Sequence, residues 1–321
     1  MLYCHAILPK AGLGNRLFPW ARCRIFSFVN KAPMLRPAWA QLRLGPLLRR
    51  ETDWRHYSDL FTAAPDEITS VKRLVVRSIS RRESEDDSTA NLISNGGKVV
   101  RVFEGERDRF KPLNGWHELL GAELRTITRP RWRSVVDQIP SVPVGIHVRM
   151  GDFVEPGSDP NNPHVRVPRS WYVESLRAIR RAADYPVRAI VVSDGREHEL
   201  SELLSEENVS FLRTGSAISD LLLLSRSDIL IGSAGSSFSA WAAFLGQMPS
   251  IAHPSRGFGW FNLINQKGNY LGGFDPAEPN ETFLTQVQLT LAGPKAEARS
   301  SGRINSGVAE ARTSGKVVIS S

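Results

Sequence analysis

Between residues 144 and 246 the chain alternates short apolar runs with longer stretches of helical periodicity, and this alternation restricts the fold more than any other feature. Val144-Gly145-Ile146-His147-Val148 reads as a buried strand, with further strands over residues 187–192, 209–212 and 228–232. Helices are expected from Pro168, over residues 196–207 and 218–226, and from Ser237; proline suits a first helical turn. Strands separated by helical stretches of this length make βαβ units and a parallel sheet, so the fold class is α/β. Ligands of such sheets bind beyond the carboxyl ends of the strands, where the loops lie. The N-terminus shows the unit once more, as a strand over residues 2–8, a small-residue loop, and an apolar-periodic helix over residues 16–29. Residues 34–138 are Arg-rich and lack clear periodicity, and the run Glu83-Ser84-Glu85-Asp86-Asp87-Ser88 reads as a solvated loop.

Composition then removes whole classes of function. No stretch of the 321 residues approaches the ~18–20 uninterrupted apolar residues of a membrane span. The opening MLYCHAILPK lacks the charged and apolar regions of a secretory signal. Cys4 and Cys23 are too few for a disulfide framework or a Cys-based zinc site, which fits a reducing cytoplasm. The net charge of +8 is unevenly spread. Residues 1–138 hold 24 basic against 15 acidic side chains, and residues 139–291 hold 12 against 16. Opposite signs suggest two domains with different ligands, at 1–138 and 139–291. Residues 292–321 contain five large apolar residues, too few to bury a core, and are expected to be disordered. No RNP, zinc-finger or helix-turn-helix pattern accompanies the basic half, so no nucleic-acid partner is expected.

Three loops could carry chemistry. Gly12-Leu13-Gly14-Asn15-Arg16 follows a strand and opens a helix, where two glycines let backbone N–H groups approach an anion. Leu17 stands where a dinucleotide fingerprint needs its third glycine, and a plain tight turn would use the same residues. His147-Val148-Arg149-Met150-Gly151-Asp152 ends the first buried strand, with His147 and Arg149 on one face. Arg149 is placed to fork onto a phosphate; the alternative is an Arg149–Asp152 ion pair closing a turn. Gly232-Ser233-Ala234-Gly235-Ser236-Ser237-Phe238 is again strand, small-residue loop and helix, with more serines than one N-cap requires. Asp220 sits at a helix start, where an acid also complements the dipole. Glu104-Gly105-Glu106-Arg107-Asp108 reads as polar surface. No Asp-x-Asp, His-Glu-x-x-His or Gly-x-Ser-x-Gly pattern occurs, so neither a metal nor a serine nucleophile is expected.

Taken in order, the loops resemble those of bacterial α-1,2-fucosyltransferases, within a superfamily that includes α-1,6- and protein O-fucosyltransferases. Residues 10–18 (KAGLGNRLF) are similar to the GGLGNQMF opening, residues 145–153 (GIHVRMGDF) to HVRRGDY, and residues 236–245 (SSFSAWAAFL) to NSTFSWWGAWL. The resemblance implies a GT-B-type fold, two Rossmann-like domains facing across a cleft. It implies an inverting, metal-independent transfer of fucose from GDP-fucose to a hydroxyl, such as one of galactose, on a glycan or lipid-linked saccharide. By the same resemblance Arg149 engages the leaving diphosphate, His147 and Asp220 the guanine nucleoside, and Ser236, Ser237 and the adjoining Phe238 the β-phosphate segment. Gly12, Gly14 and Asn15 close over the donor. Met150 departs from the pattern, which usually carries a second Arg there. The alternative is a non-catalytic nucleotide-sugar or glycan-binding protein that keeps the fold.

The residue types suit that chemistry, because a departing GDP gathers negative charge beside an oxocarbenium-like sugar. Arg149 and helix-terminal N–H groups would stabilise it without a metal. A general base is also needed, and Asp152 and Glu155 are the expected candidates, Asp152 serving equally well to orient Arg149. The basic half suits an anionic saccharide at the inner membrane face, with the protein cytoplasmic and peripherally associated; surface solvation is the plainer reading of the same arginines.

Overall fold

The opening residues fold as their patterning dictates. In the computed structural model β1 (Leu2–Ile7) buries its central residues and leads through a short loop into α1 (Leu13–Asn30). Residues 1–40, 57–87, 97–140, 142–151, 153–155 and 165–292 are described by the structure. β2 (Met34–Leu35), α2 (Ser70–Ile79), β3 (Arg81–Ser84) and β4 (Val99–Glu104) follow, and the strands form a parallel sheet ordered β2-β1-β4-β3.

One expectation fails here. Arg81–Ser84 is an edge strand, and Glu85 is not solvated but bonded by both carboxylate oxygens to Arg22 of α1, at 2.8 and 3.1 Å. A buried guanidinium requires a counter-charge, and Glu85 supplies it. The charge run alone cannot show which of its acids turns inward. Ser88 lies outside the described residues.

The chain passes through α3 (His117–Ile127) and α4 (Pro130–Gln138) into a second unit. It continues through β5 (Val142–Val148), α5 (Arg169–Ala183), β6 (Ala189–Ser193), α6 (Ser201–Leu204), β7 (Val209–Phe211), α7 (Ala217–Leu224), β8 (Ser227–Gly232) and α8 (Ser237–Gly246). β9 (Ser250–Ala252), β10 (Leu271–Gly273) and α9 (Glu281–Leu291) complete it. Six parallel strands run in the order β10-β9-β8-β5-β6-β7. Every residue of β5 is buried, as a central strand covered on both faces requires. Because β5 pairs with β6 on one side and β8 on the other, the strand order reverses between β5 and β8. That switch point is where an open parallel sheet leaves a crevice at its carboxyl end.

The expected helix over residues 196–207 does not form. A 3₁₀ turn (Glu197–Leu200) runs into the single turn of α6, and Asn208 adopts φ 53° to lead into β7. Only Leu200 and Leu203 of this stretch are buried, too little packing to carry a longer helix. α7, by contrast, is buried over Ile218, Ser219 and its four leucines, and turns Asp220 to the cleft described below. Its Ser219 hydroxyl donates to the Trp132 carbonyl of α4 at 2.8 Å, and Arg226 donates to that of Val136 at 2.7 Å.

α1 and α8 tie the two sheets together. Phe18, Phe110 and Trp241 meet with ring centroids 4.9–5.4 Å apart, and Phe244 lies 5.0 Å from Phe110. The Trp241 indole N–H donates to the Gly14 carbonyl at 2.8 Å. A methyl group on Gly14 would stand 2.6 Å from Ser237 Oγ and 2.9 Å from the Phe238 nitrogen. Gly14 is therefore a packing requirement as well as a residue of the cleft described below. Among the described residues no helix is long and apolar enough to cross a membrane. Ala292 caps α9; residues 293–321, where disorder is expected, lie outside the described residues.

Candidate functional site

The loops after β1, β5, β6, β7, β8 and β9 open onto one cleft of about 800 Å³, within the range that holds a nucleotide-sized ligand. Lys10 to Asn15, Tyr57, Glu106 and Arg109 line one wall. His147, Arg149, Asp194, Arg213, Asp220, Ser236, Ser237, Phe238 and Arg256 are among those lining the other. Gly12, Gly14, Asn15, His147, Arg149, Asp220, Ser236, Ser237 and Phe238, expected from sequence to act together, thus share one cavity. Asp152 lies outside the described residues.

Arg149 is held from both of its ends. Its backbone N–H donates to Ser233 Oγ at 2.7 Å, and Ser233 in turn donates to the His147 carbonyl at 3.0 Å. Its guanidinium pairs with Asp194 at the end of β6, and Asp194 also accepts from the Met150 N–H at 2.8 Å. Asp194 is thus an acid that holds this loop, and its Ser-Asp-Gly context reads from sequence only as a turn. Its place at the carboxyl end of a strand beside β5 is the signal that would have found it.

His147 is buried, with Nδ1 2.7 Å from Ser239 Oγ and its ring 4.8 Å from that of Phe238. Burial pushes its pKa down to about 4, with Arg149 adding to the effect, so the imidazole is neutral at pH 7. It presents a neutral ring and ordinary hydrogen-bonding nitrogens, not a charge. Asp220 accepts from the Thr214 hydroxyl at 2.6 Å in the first turn of α7.

Part of the hydrogen-bonding capacity of the Gly-Asn loop is taken up within the protein. The Leu13 N–H is taken by the Tyr57 hydroxyl at 3.0 Å, and Asn15 Oδ1 accepts from Ser237 Oγ. Arg16 is wholly buried, donating to the carbonyls of Ala11 and Trp39 at 3.0 and 2.6 Å. The loop is thus a latch between the two walls, as well as a lining segment. On the opposite wall, Ser236 caps α8 by accepting from the Ser239 N–H at 3.4 Å. Gly235 has φ 65°, and Arg256 Cδ lies 2.9 Å from where its β-carbon would be. That close approach brings a guanidinium chain against the start of α8, where the helix dipole already favours an anion.

Sequence reading missed Asp194, Arg213 and Arg256 and misjudged Glu106, which lines the cleft where a polar surface was expected. Glu155, an expected base, instead pairs with Arg166 at 2.7 Å and Arg169 at 3.5 Å. Among the described residues, five basic side chains (Lys10, Arg109, Arg149, Arg213, Arg256) face three acidic ones (Glu106, Asp194, Asp220) across the cleft. Three of the five belong to the half whose net charge is negative, so local placement and not net charge sets the potential here.

A parallel α/β protein takes its ligands in the crevice at the topological switch point, and here arginines line that crevice. Residues 123–253 match the model of glycosyl transferase family 11, somewhat less than half of the chain. The match contains the second and third loops, and it bears out the resemblance to the fucosyltransferase superfamily. No curated protein matches the chain in sequence. Among solved structures the fold is similar to NodZ α-1,6-fucosyltransferase of Bradyrhizobium co-crystallized with GDP, at 14% identity, covering 80% of this chain and 96% of that one, TM-score 0.49. It is also similar to POFUT1 in complex with GDP, at 12% identity, covering 78% and 97%, TM-score 0.49. A mutant of Arabidopsis thaliana FUT1 in complex with GDP gives 12% identity, coverage of 78% and 70%, and TM-score 0.44.

Proposed function

We propose that this chain is a GT-B-type fucosyltransferase, its halves at 1–138 and 139–291 forming the acceptor and donor sides of the cleft. It moves fucose from GDP-fucose to a hydroxyl of a glycan or lipid-linked saccharide, with inversion and without a metal. The observation that carries this reading is the convergence of loops 10–16, 147–151 and 233–238 on one cleft, with Arg149 braced by Asp194 and Ser233. The family match over residues 123–253 supports it.

In this reading Arg149 forks onto the leaving diphosphate and the start of α8 takes the β-phosphate, supplying the positive potential that the departing GDP needs. Asp220 suits guanine for a chemical reason. A carboxylate can accept from both N1–H and the N2 amino group on that base edge, a pair of adjacent donors that uracil and cytosine lack.

GDP is expected to raise the melting temperature well above UDP or CMP at equal concentration. A ligand at a hundredfold its Kd contributes about 2.7 kcal/mol, on the order of 5 °C for a protein of this size. A larger shift with UDP would sink the donor assignment. GDP binding with neither transfer to galactose-ended acceptors nor donor hydrolysis would point to the binding-protein alternative.

The basic half further suits an anionic acceptor at a membrane face. The KM for an anionic glycolipid should then rise with ionic strength while that for a neutral disaccharide stays level. Equal insensitivity of both would remove charge from the account of acceptor choice.

A further inference from the structure

Transfer to a hydroxyl needs a group to take its proton, and the cleft offers one on the acceptor wall. Asp194 is bound to Arg149 and to the Met150 N–H, and Asp220 accepts from Thr214; both belong to the second unit. Among the described residues that line the cleft, Glu106 is the one carboxylate contributed by the N-terminal half.

The chain invests structure in holding Glu106 there. Arg22, neutralised by Glu85, donates to the carbonyls of Glu104, Gly105 and Glu106 at 2.9, 3.0 and 3.4 Å. The backbone is left-handed at Gly105, Asp108 and Arg109, with φ 68°, 39° and 48°, which two non-glycine residues adopt only under constraint. Beyond the turn, Arg109 donates to the Trp260 carbonyl at 3.0 Å and lies 4.4 Å from the Trp260 ring centroid. The Phe110 N–H donates to the Phe261 carbonyl at 3.1 Å. The loop is thus clamped by α1 at one end and by the second unit at the other. Arg109 Nε stands 3.7 Å from Glu106 Oε2, close enough to orient the carboxylate and too far for a hydrogen bond to occupy that oxygen.

We propose that Glu106 is the general base of the reaction, an assignment that rests on the fucosyltransferase reading above. The acceptor oxygen attacks C1 of fucose as the C1–O bond to the β-phosphate breaks and its electron pair leaves with GDP. The acceptor proton passes to the Glu106 carboxylate and then to water. Arg109 is a positioning residue for that carboxylate.

The test pairs Glu106→Gln and Glu106→Ala with the wild-type chain, and the GDP-induced melting shift checks that each variant is folded. Glu106→Gln should lower kcat for transfer by about 10²–10⁴-fold with the KM for GDP-fucose nearly unchanged. Azide attacks without losing a proton, so it should restore GDP release in Glu106→Ala and yield fucosyl azide. Transfer by Glu106→Gln within about threefold of wild type overturns the assignment, since a general base contributes far more. So does a loss that azide fails to restore in a variant that still binds GDP, or azide rescue confined to Asp152→Ala. Wild-type chain that binds no GDP, or binds it and transfers nothing, overturns the fucosyltransferase reading itself. Active wild type with a dispensable Glu106 overturns only the base.

Discussion

Arg149→Lys should retain the charge and lose the reaction, with kcat falling about 10²–10³-fold, the usual consequence of removing one preorganised donor from a developing anion. An ammonium cannot fork onto two phosphate oxygens in the plane that a guanidinium fixes. Lys keeps a cation opposite Asp194, so the paired acid is not left uncompensated, as it would be in an alanine variant. The melting temperature should therefore move little while turnover collapses, and comparing the two separates catalysis from folding. Near-normal turnover would mean that Arg149 serves only to close the β5 loop against Asp194, and the catalytic reading would fall with it.

Gly14→Ala should destabilise the protein, although alanine is the better helix former. Within α1 the exchange would ordinarily stabilise by roughly 1 kcal/mol. Here the new methyl would meet Ser237 Oγ at 2.6 Å and the Phe238 nitrogen and Ser237 carbonyl carbon at 2.9 Å. The serine hydroxyl can rotate, but the backbone of α8 cannot yield without parting the two helices. Overpacking of this kind typically costs 1–3 kcal/mol, and separation would also stretch the Trp241–Gly14 hydrogen bond. Denaturant unfolding decides the sign. A more stable Gly14→Ala would show that α1 and α8 do not approach as closely as described. Because Lys10 to Asn15 line the cleft, a destabilised variant should also bind GDP more weakly.

The strands of the second sheet were legible because burial on both faces demands continuous apolar runs, and residues 144–148 and 228–232 carry them. The glycine- and serine-rich loops were legible because few other residues fit between a strand end and a helix start. The helix expected over residues 196–207 was not, since its periodicity is real but only Leu200 and Leu203 are buried, with Leu204 packed beside them. Glu85 and Glu106 read as surface because both sit in polar, charge-dense stretches, and local sequence does not say which acid faces a buried arginine or a cleft.

Sequence by itself determined the βαβ character of the chain, the loops that bear its chemistry and the resemblance to fucosyltransferases, since each depends on residue types within about ten positions of one another. Tertiary structure decided the partnerships: Arg149 with Asp194 across 45 residues, Arg22 with Glu85 across 63, and Ser237 with Asn15 across 222. Those pairs depend on the order in which the strands are laid into their sheets and on the contact of α1 with α8. The buried aromatic cluster around Trp241 maintains that contact, and hydrophobic packing is indifferent to separation along the chain.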